Sequence, residues 1–430
     1  MNCAFTNARL IDPASGRDET GTLVVADGKI AALGADAKPP ADTPTHDAEG
    51  QWLIPGLVDM HVFTGEPGFE HRETLATASM AAAAGGVAHI VVMPNTRPVI
   101  DDAALVDFIS LRARATACVH VHPMAAITRG CAGAEITEFG LLREEGAVAF
   151  TDGIRPVMNA LTMRRALSYA ADFGALIVQH TLDCDLEGAG VMHEGEPATR
   201  LGLAGIPAAA ETVIIDRDIR LVELTGGRYH AAQISCAESV AAIRAAKARG
   251  LAVSCGVSAT HLMLNENDVA EYRTFAKLSP PLRTEDDRKA LLDGLADGTI
   301  DVVVSGHNPQ DEEAKRQPFA QAADGSVGVE TLLSGLLTLH HHHGLDIMTA
   351  LRAVTARPAE LLGLEAASLA VGAAADFCLV APDIPWIVDA EKLHSKSKNA
   401  AIEGRTMHGR VQACYIGGAS VFEHKKDDAP

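Results

Sequence analysis

The stretch Leu53-Ile54-Pro55-Gly56-Leu57-Val58-Asp59-Met60-His61-Val62-Phe63 decides how this chain is read. Before it the sequence is a series of short strand patterns, and from Pro55 onward strands alternate with helices. Its second half reads as a strand ending in Asp-x-His-x-Phe. Side chains two residues apart on a strand point to the same face, so His61 and Phe63 look the same way. The imidazole is a metal-ligand type; the phenyl ring beside it is not.

Toward the N-terminus, residues 23–25 and 30–33 are apolar segments that flank Asp27-Gly28, a hairpin turn signal. Toward the C-terminus, residues 88–93, 147–150, 175–180, 252–255 and 301–305 read as strands. Ala-rich helical patterns lie between them, one of which spans residues 239–249 and is stopped by Gly250. Regular alternation of this kind predicts a parallel (β/α)8 barrel over residues 55–368. Beyond it, residues 376–380 and 410–416 return to strand, with Gly417-Gly418 as a turn. Neither β-rich terminus is long enough to bury a core alone, so residues 1–54 and 369–430 are expected to form one small β-sandwich. Residues 425–430 read as a loose polar tail.

Composition agrees with a barrel. The 430 residues are 47% hydrophobic but only 4% aromatic, so the core is built from small and branched aliphatics. A formal charge of -20 argues against nucleic acid or an anionic membrane surface as partner. Eight cysteines occur without a Cys-x-x-Cys spacing, which reads as free thiols in a reducing compartment. There is no secretory-signal pattern and no run of roughly 18 apolar residues. A cytoplasmic protein is expected.

With those pieces in place, the chain resembles the bacterial dihydroorotases of the cyclic amidohydrolase superfamily, nearly end to end. The resemblance rests on Leu53 to His61, Glu66-Pro67-Gly68, Ala84-Gly85-Gly86-Val87 and Met93-Pro94-Asn95-Thr96. It continues through Leu203-Ala204-Gly205-Ile206-Pro207, Ser279-Pro280-Pro281-Leu282-Arg283 and Asp297-Gly298-Thr299-Ile300-Asp301. Ser395-Lys396-Ser397-Lys398-Asn399 and Glu403-Gly404 complete it. It implies an amidohydrolase-type barrel with its site at the C-terminal strand ends, working in pyrimidine biosynthesis. It also implies one or two zinc ions held by four histidines, a bridging carboxylate and an aspartate that takes a proton from the attacking water.

Carried over position by position, that ligand set is largely missing. His61 and His180 match the first and third histidines, whereas Phe63 and Gln233 stand for the second and fourth. In Phe150-Thr151-Asp152-Gly153, Gly153 aligns with the bridging carboxylate, and a one-residue shift leaves Asp152 as a candidate. Gly306 occupies the general-base position. Substrate contacts are affected too, with Gly65 where the resemblance implies a carboxylate-binding arginine and Ser279 where it often has asparagine; Asn95 and His307 remain as residual contacts.

A plain alternative exists for each residue. His61 and His180 read as inherited side chains satisfied within a closed barrel mouth, and Asp152 as a turn or capping residue. Asn95 reads equally well as a backbone-bonding turn residue. The run His340-His341-His342-His343 before Gly344 suits a helix C-terminus better than a metal site.

The expectation drawn from these losses is a non-catalytic dihydroorotase-like chain without a cofactor. It would serve as a structural subunit with aspartate carbamoyltransferase, the partner this resemblance implies, in a homo- or hetero-oligomer. The alternative is an active cyclic amidohydrolase with a reduced site, one zinc ion on His61, His180 and Asp152.

Overall fold

The computed structural model describes residues 2–424. Its centre is a closed parallel barrel. Leu57–Val62 pairs with Val87–Val92, which pairs with His120–Pro123. Leu176–Gln179, Arg228–Ala231, Val253–Ser258 and Val302–Val304 follow as parallel neighbours. A bridge between Val62 and His307, with the Phe63 amide donating to the His307 carbonyl at 2.9 Å, closes the ring.

The remaining stave is the expected strand at residues 147–150, and it is shorter than its pattern. Only Phe150 makes ladder bridges, one on each side. The backbone still bonds both neighbours, with Ala125 N to Ala149 O at 3.1 Å and Phe150 N to Leu176 O at 3.0 Å. Gly146 and Gly153, at φ +112° and +73°, bend the chain at either end and cut the strand to its minimum.

A buried cluster draws Val58, Met60, Val91, Met93, Met124, Ala149, Val178, Ala232 and Val304 from almost every stave in turn. Side chains from strands all round a ring can meet only inside it, so the barrel is filled rather than hollow. Its other face carries the helices. Leu75–Ala84 starts on Thr74, whose hydroxyl forms a capping box with Thr77. It ends at Gly85, where a Cβ would stand 2.4 Å from the Val329 carbonyl; only glycine permits that approach. The helix expected over 239–249 runs Ala237–Ala248 and begins earlier because Asp287, on the helix Glu285–Ala296, accepts the Ala237 amide at 2.9 Å. The histidine run closes the helix Leu332–His343 before Gly344, as its pattern implies.

Strands from both termini share one eight-stranded sheet. Cys3–Asp12, Arg17–Ala26 and Lys29–Gly34 form an antiparallel meander whose Asp27-Gly28 turn has positive φ at both residues. Trp52–Pro55 lies parallel to the first of these and antiparallel to Phe377–Ile387, which leads through Thr406–Ile416 to Ala419–Glu423. Phe5 packs edge-on against Phe377 and Tyr415, joining the two ends of the chain in one core. The polar tail read at 425–430 lies outside the described residues. Among those described, no helix is long and apolar enough to cross a membrane.

Candidate active site in the barrel mouth

The C-terminal strand ends surround a cavity of about 580 Å³, a size suited to a small organic ligand. Going round the ring, they supply His61, Asn95, Arg155, His180, Gln233, Ser258 and Gly306 to its wall. Loops add Arg72, Ser279 and Asp324, and the short helices Ala259–Met263 and Cys184–Glu187 add His261 and Glu187.

His61 and His180 both reach this cavity and both are buried. Desolvation, joined at His180 by the charge of neighbouring His61, holds each imidazole down to about 4. Both are therefore neutral at neutral pH, the form in which a histidine ligates a metal. His180 Nε2 lies 3.2 Å from Ser279 Oγ. Asp59, fully buried beneath them, accepts the His61 and Ser305 amides at 3.2 Å each, which ties the first stave to the last. Burial pushes its carboxyl up to about 6.

The positions expected to have lost ligands are reorganised, not merely trimmed. Phe63 is buried, and the Arg72 guanidinium lies 4.5 Å from its ring centroid. Gly65 has φ +70°, and a Cβ there would stand 2.6 Å from the Glu73 and Phe69 carbonyls, so this loop conformation admits no side chain at 65. Gly153 has φ +73°, and the Asn95 amide fills the space beside it, 2.6 Å from where a Cβ would be. Gly306, at φ +61°, faces the Gln233 amide at 3.2 Å in the same sense.

Asn95 lines the cavity, and its Oδ1 has no hydrogen-bond partner. Asp152 turns away: its carboxylate accepts the Thr128 amide at 2.8 Å and the Thr128 hydroxyl, pinning the loop after the third stave. His307 is fully buried and is not part of the cavity wall. It sits 3.5 Å from Glu73 and accepts the Gly328 amide at 3.2 Å on Nδ1.

A zinc pair needs a cluster of ligand atoms, and the mouth does not fit one. Among the described residues, His61 and His180 have no third His, Cys, Asp or Glu ligand atom gathered with them. Among the described residues the one such set within 4.8 Å of one another is His89, His120 and Asp376, away from this cavity. That set leaves the expectation of a cofactor-free chain without support.

Two features of the mouth had no clear sequence signal. Arg72 brings a cation into the cavity seven residues after Gly65; it is anchored by Nε to Pro309 O at 2.7 Å and by a second nitrogen to Asn308 Oδ1 at 2.8 Å. Glu73 is buried and accepts from Thr77, Ser395 and the Lys396 amide. Burial alone would raise its carboxyl, but His307, Ser395 and Thr77 hold it below the usual range. The segment from Ser395 to Asn399, quoted above for its resemblance, is thereby a staple: Ser397 donates to Arg72 O at 2.7 Å, and Asn399 reaches Gly325 O at 3.0 Å.

Comparison with known proteins agrees with this architecture. Residues 50–239 match the family model described as Dihydro-orotase-like. A protein named dihydroorotase from Anaeromyxobacter sp. (strain K) is 46% identical over 422 residues, 98% of each chain. Another of that name, from Geotalea daltonii, is 44% identical and covers 99% of this chain and 100% of its own. Among solved structures, the L-hydantoinase (dihydropyrimidinase) from Arthrobacter aurescens superposes with a TM-score of 0.88 at 25% identity, over 98% of this chain and 96% of its own. A D-hydantoinase at 22% identity shares the fold with a TM-score of 0.85.

Proposed function

The chain belongs to the dihydroorotase family, and from that premise we propose that it is a member whose barrel mouth binds a small polar molecule without hydrolysing it. The observation that carries this reading is the backbone at the lost positions. Gly65, Gly153 and Gly306 all have positive φ, and at Gly65 and Gly153 neighbouring atoms stand 2.6 Å from where a Cβ would be. A site that had lost only its side chains would keep room for them; at residues 65 and 153 this one has closed around their absence. What remains is a pocket with Arg72, Asn95 and Gln233 available to a ligand's polar edge.

A barrel retained without its chemistry still offers a rigid surface, and the proposed partner is aspartate carbamoyltransferase, carried over from the resemblance. A second reading is an active cyclic amidohydrolase with a reduced site. Two curated relatives named dihydroorotase at 44–46% identity favour it, as do two neutral histidines in an open cavity. The comparisons lean toward this second reading, and the backbone geometry toward the first.

Size-exclusion chromatography with aspartate carbamoyltransferase, using the wild-type chain and a His61→Ala/His180→Ala variant, separates the two. The first reading expects both chains to co-elute with the transferase and leave its activity unchanged. The second expects turnover of a cyclic amide that the double variant abolishes.

A further inference from the structure

Three imidazoles and one carboxylate gather where the barrel meets the eight-stranded sheet, well away from the mouth. His89 lies within the stave Val87–Val92, His120 opens the stave His120–Pro123, and Asp376 directly precedes the sheet strand Phe377–Ile387. His89 and His120 are register partners on adjacent parallel strands, so their rings stack, 4.6 Å apart and 15° from parallel. That places both Nε2 atoms beside the same carboxylate oxygen. His120 Nε2 is 3.0 Å from Asp376 Oδ2, and His89 Nε2 is 3.7 Å from it.

We infer that His89, His120 and Asp376 form a binding site for one divalent transition-metal ion of the zinc class, clamping the barrel to the β-rich domain. Ligand atoms around a tetrahedral zinc with bonds near 2.0–2.1 Å lie about 3.3 Å apart, between the two separations observed. An ordinary ion pair accounts for His120 and Asp376 alone. It leaves His89 Nε2 buried with no hydrogen-bond partner and aimed at the same oxygen. The supporting contacts also have the form a metal site requires. His89 Nδ1 is 3.1 Å from His122 Nε2, and in the tautomer in which His89 Nδ1 holds the proton and donates it to His122, the His89 Nε2 lone pair is free for a metal. The Gly417 amide donates to Asp376 Oδ1 at 2.6 Å, fixing the carboxylate with its other oxygen toward the imidazoles. The His120 side chain is 44% exposed, which gives an ion an entry path and leaves its last coordination position to water. Two nitrogens and one oxygen of this kind favour zinc or its neighbours over calcium or magnesium. The site is independent of the mouth.

The test is titration of chelator-stripped full-length chain with zinc, and with cobalt as the spectroscopic probe. Variants are His120→Ala, Asp376→Asn, the mouth double variant His61→Ala/His180→Ala, and His341→Ala/His342→Ala in the histidine run. The inference expects one equivalent bound by the wild type, with the visible bands of low-coordinate cobalt. His120→Ala and Asp376→Asn should each weaken binding by at least about tenfold to a hundredfold. The other two variants should bind as the wild type does. His120 is exposed enough for its alanine variant to fold, and far-UV circular dichroism checks that. Equal affinity in wild type and His120→Ala overturns the inference, as does absence of binding in the wild type or loss of binding only in the mouth or histidine-run variant.

Discussion

The guanidinium of Arg72 lies over the ring of Phe63, 4.5 Å from its centroid, and is held there by Pro309 and Asn308. This contact occupies the place where the family motif has a second imidazole. The substitution at 63 is therefore part of a packed arrangement that involves the loop over residues 65–73 and the end of the last stave.

Restoring that histidine alone should accomplish little. In Phe63→His the new imidazole would sit beneath a guanidinium, lose the ring–cation contact and find no third ligand. The expected results are no added zinc in the mouth and a loss of about 1 kcal/mol in stability. Zinc content measured in a His120→Ala background and thermal melting check both.

Gly153→Asp should be more costly. The residue sits at φ +73°, and its Cβ would meet the Asn95 side chain at 2.6 Å. A left-handed conformation alone costs an ordinary residue about 1–2 kcal/mol, and the contact adds to it. Chemical denaturation should show that loss. Adding Asn95→Ala removes the 2.6 Å contact but keeps the Asn95 Cβ at 2.8 Å, so it should recover only part of the steric loss and none of the backbone part.

Glu73→Ala removes the acceptor that holds Thr77, Ser395, the Lys396 amide and His307 together. Leaving those groups buried without their carboxylate should cost about 3 kcal/mol. Proteolysis or hydrogen exchange should show the loosening first in residues 65–73 and 395–399.

Acid should destabilise the fold before any carboxylate with an ordinary pKa titrates. His230 and His261 are buried and held down to about 4 by desolvation, each with a serine hydroxyl as partner. A base whose folded pKa lies below its unfolded value of about 6.5 binds fewer protons when folded between those limits, so stability falls as pH drops from 6.5 toward 4. The effect is on the order of 3 kcal/mol per histidine over the whole window. Asp59, raised to about 6, works in the opposite sense between its unfolded value and 6 and blunts the slope. Denaturant midpoints from pH 7 to 5 should fall, and less steeply in His261→Asn.

What the sequence makes legible is whatever depends on local periodicity. The alternation from Leu57 onward identifies six staves but not His120–Pro123 or Arg228–Ala231, and Asp27-Gly28 identifies a hairpin that the sheet contains. Effects supplied from a distance leave no such trace. The stave at 147–150 is cut short by Gly146 and Gly153, and the helix from Ala237 starts early because Asp287 caps it from 50 residues away. In the mouth, His61, His180 and Asn95 are placed at the cavity wall, while Asp152 bonds to Thr128 and His307 faces the buried Glu73. Arg72 was invisible because its role exists only once Phe63 is packed. The His89–His120–Asp376 group was equally hidden, since only strand register and the junction with the sheet bring those three positions together.

The most direct measurement is dihydroorotate turnover, in both directions, by purified protein supplied with zinc. The proposed reading predicts no rate above a metal-free blank, with the chain folded and the ligand pocket intact. Turnover that disappears in His61→Ala/His180→Ala would contradict it and establish the mouth as a working hydrolytic site.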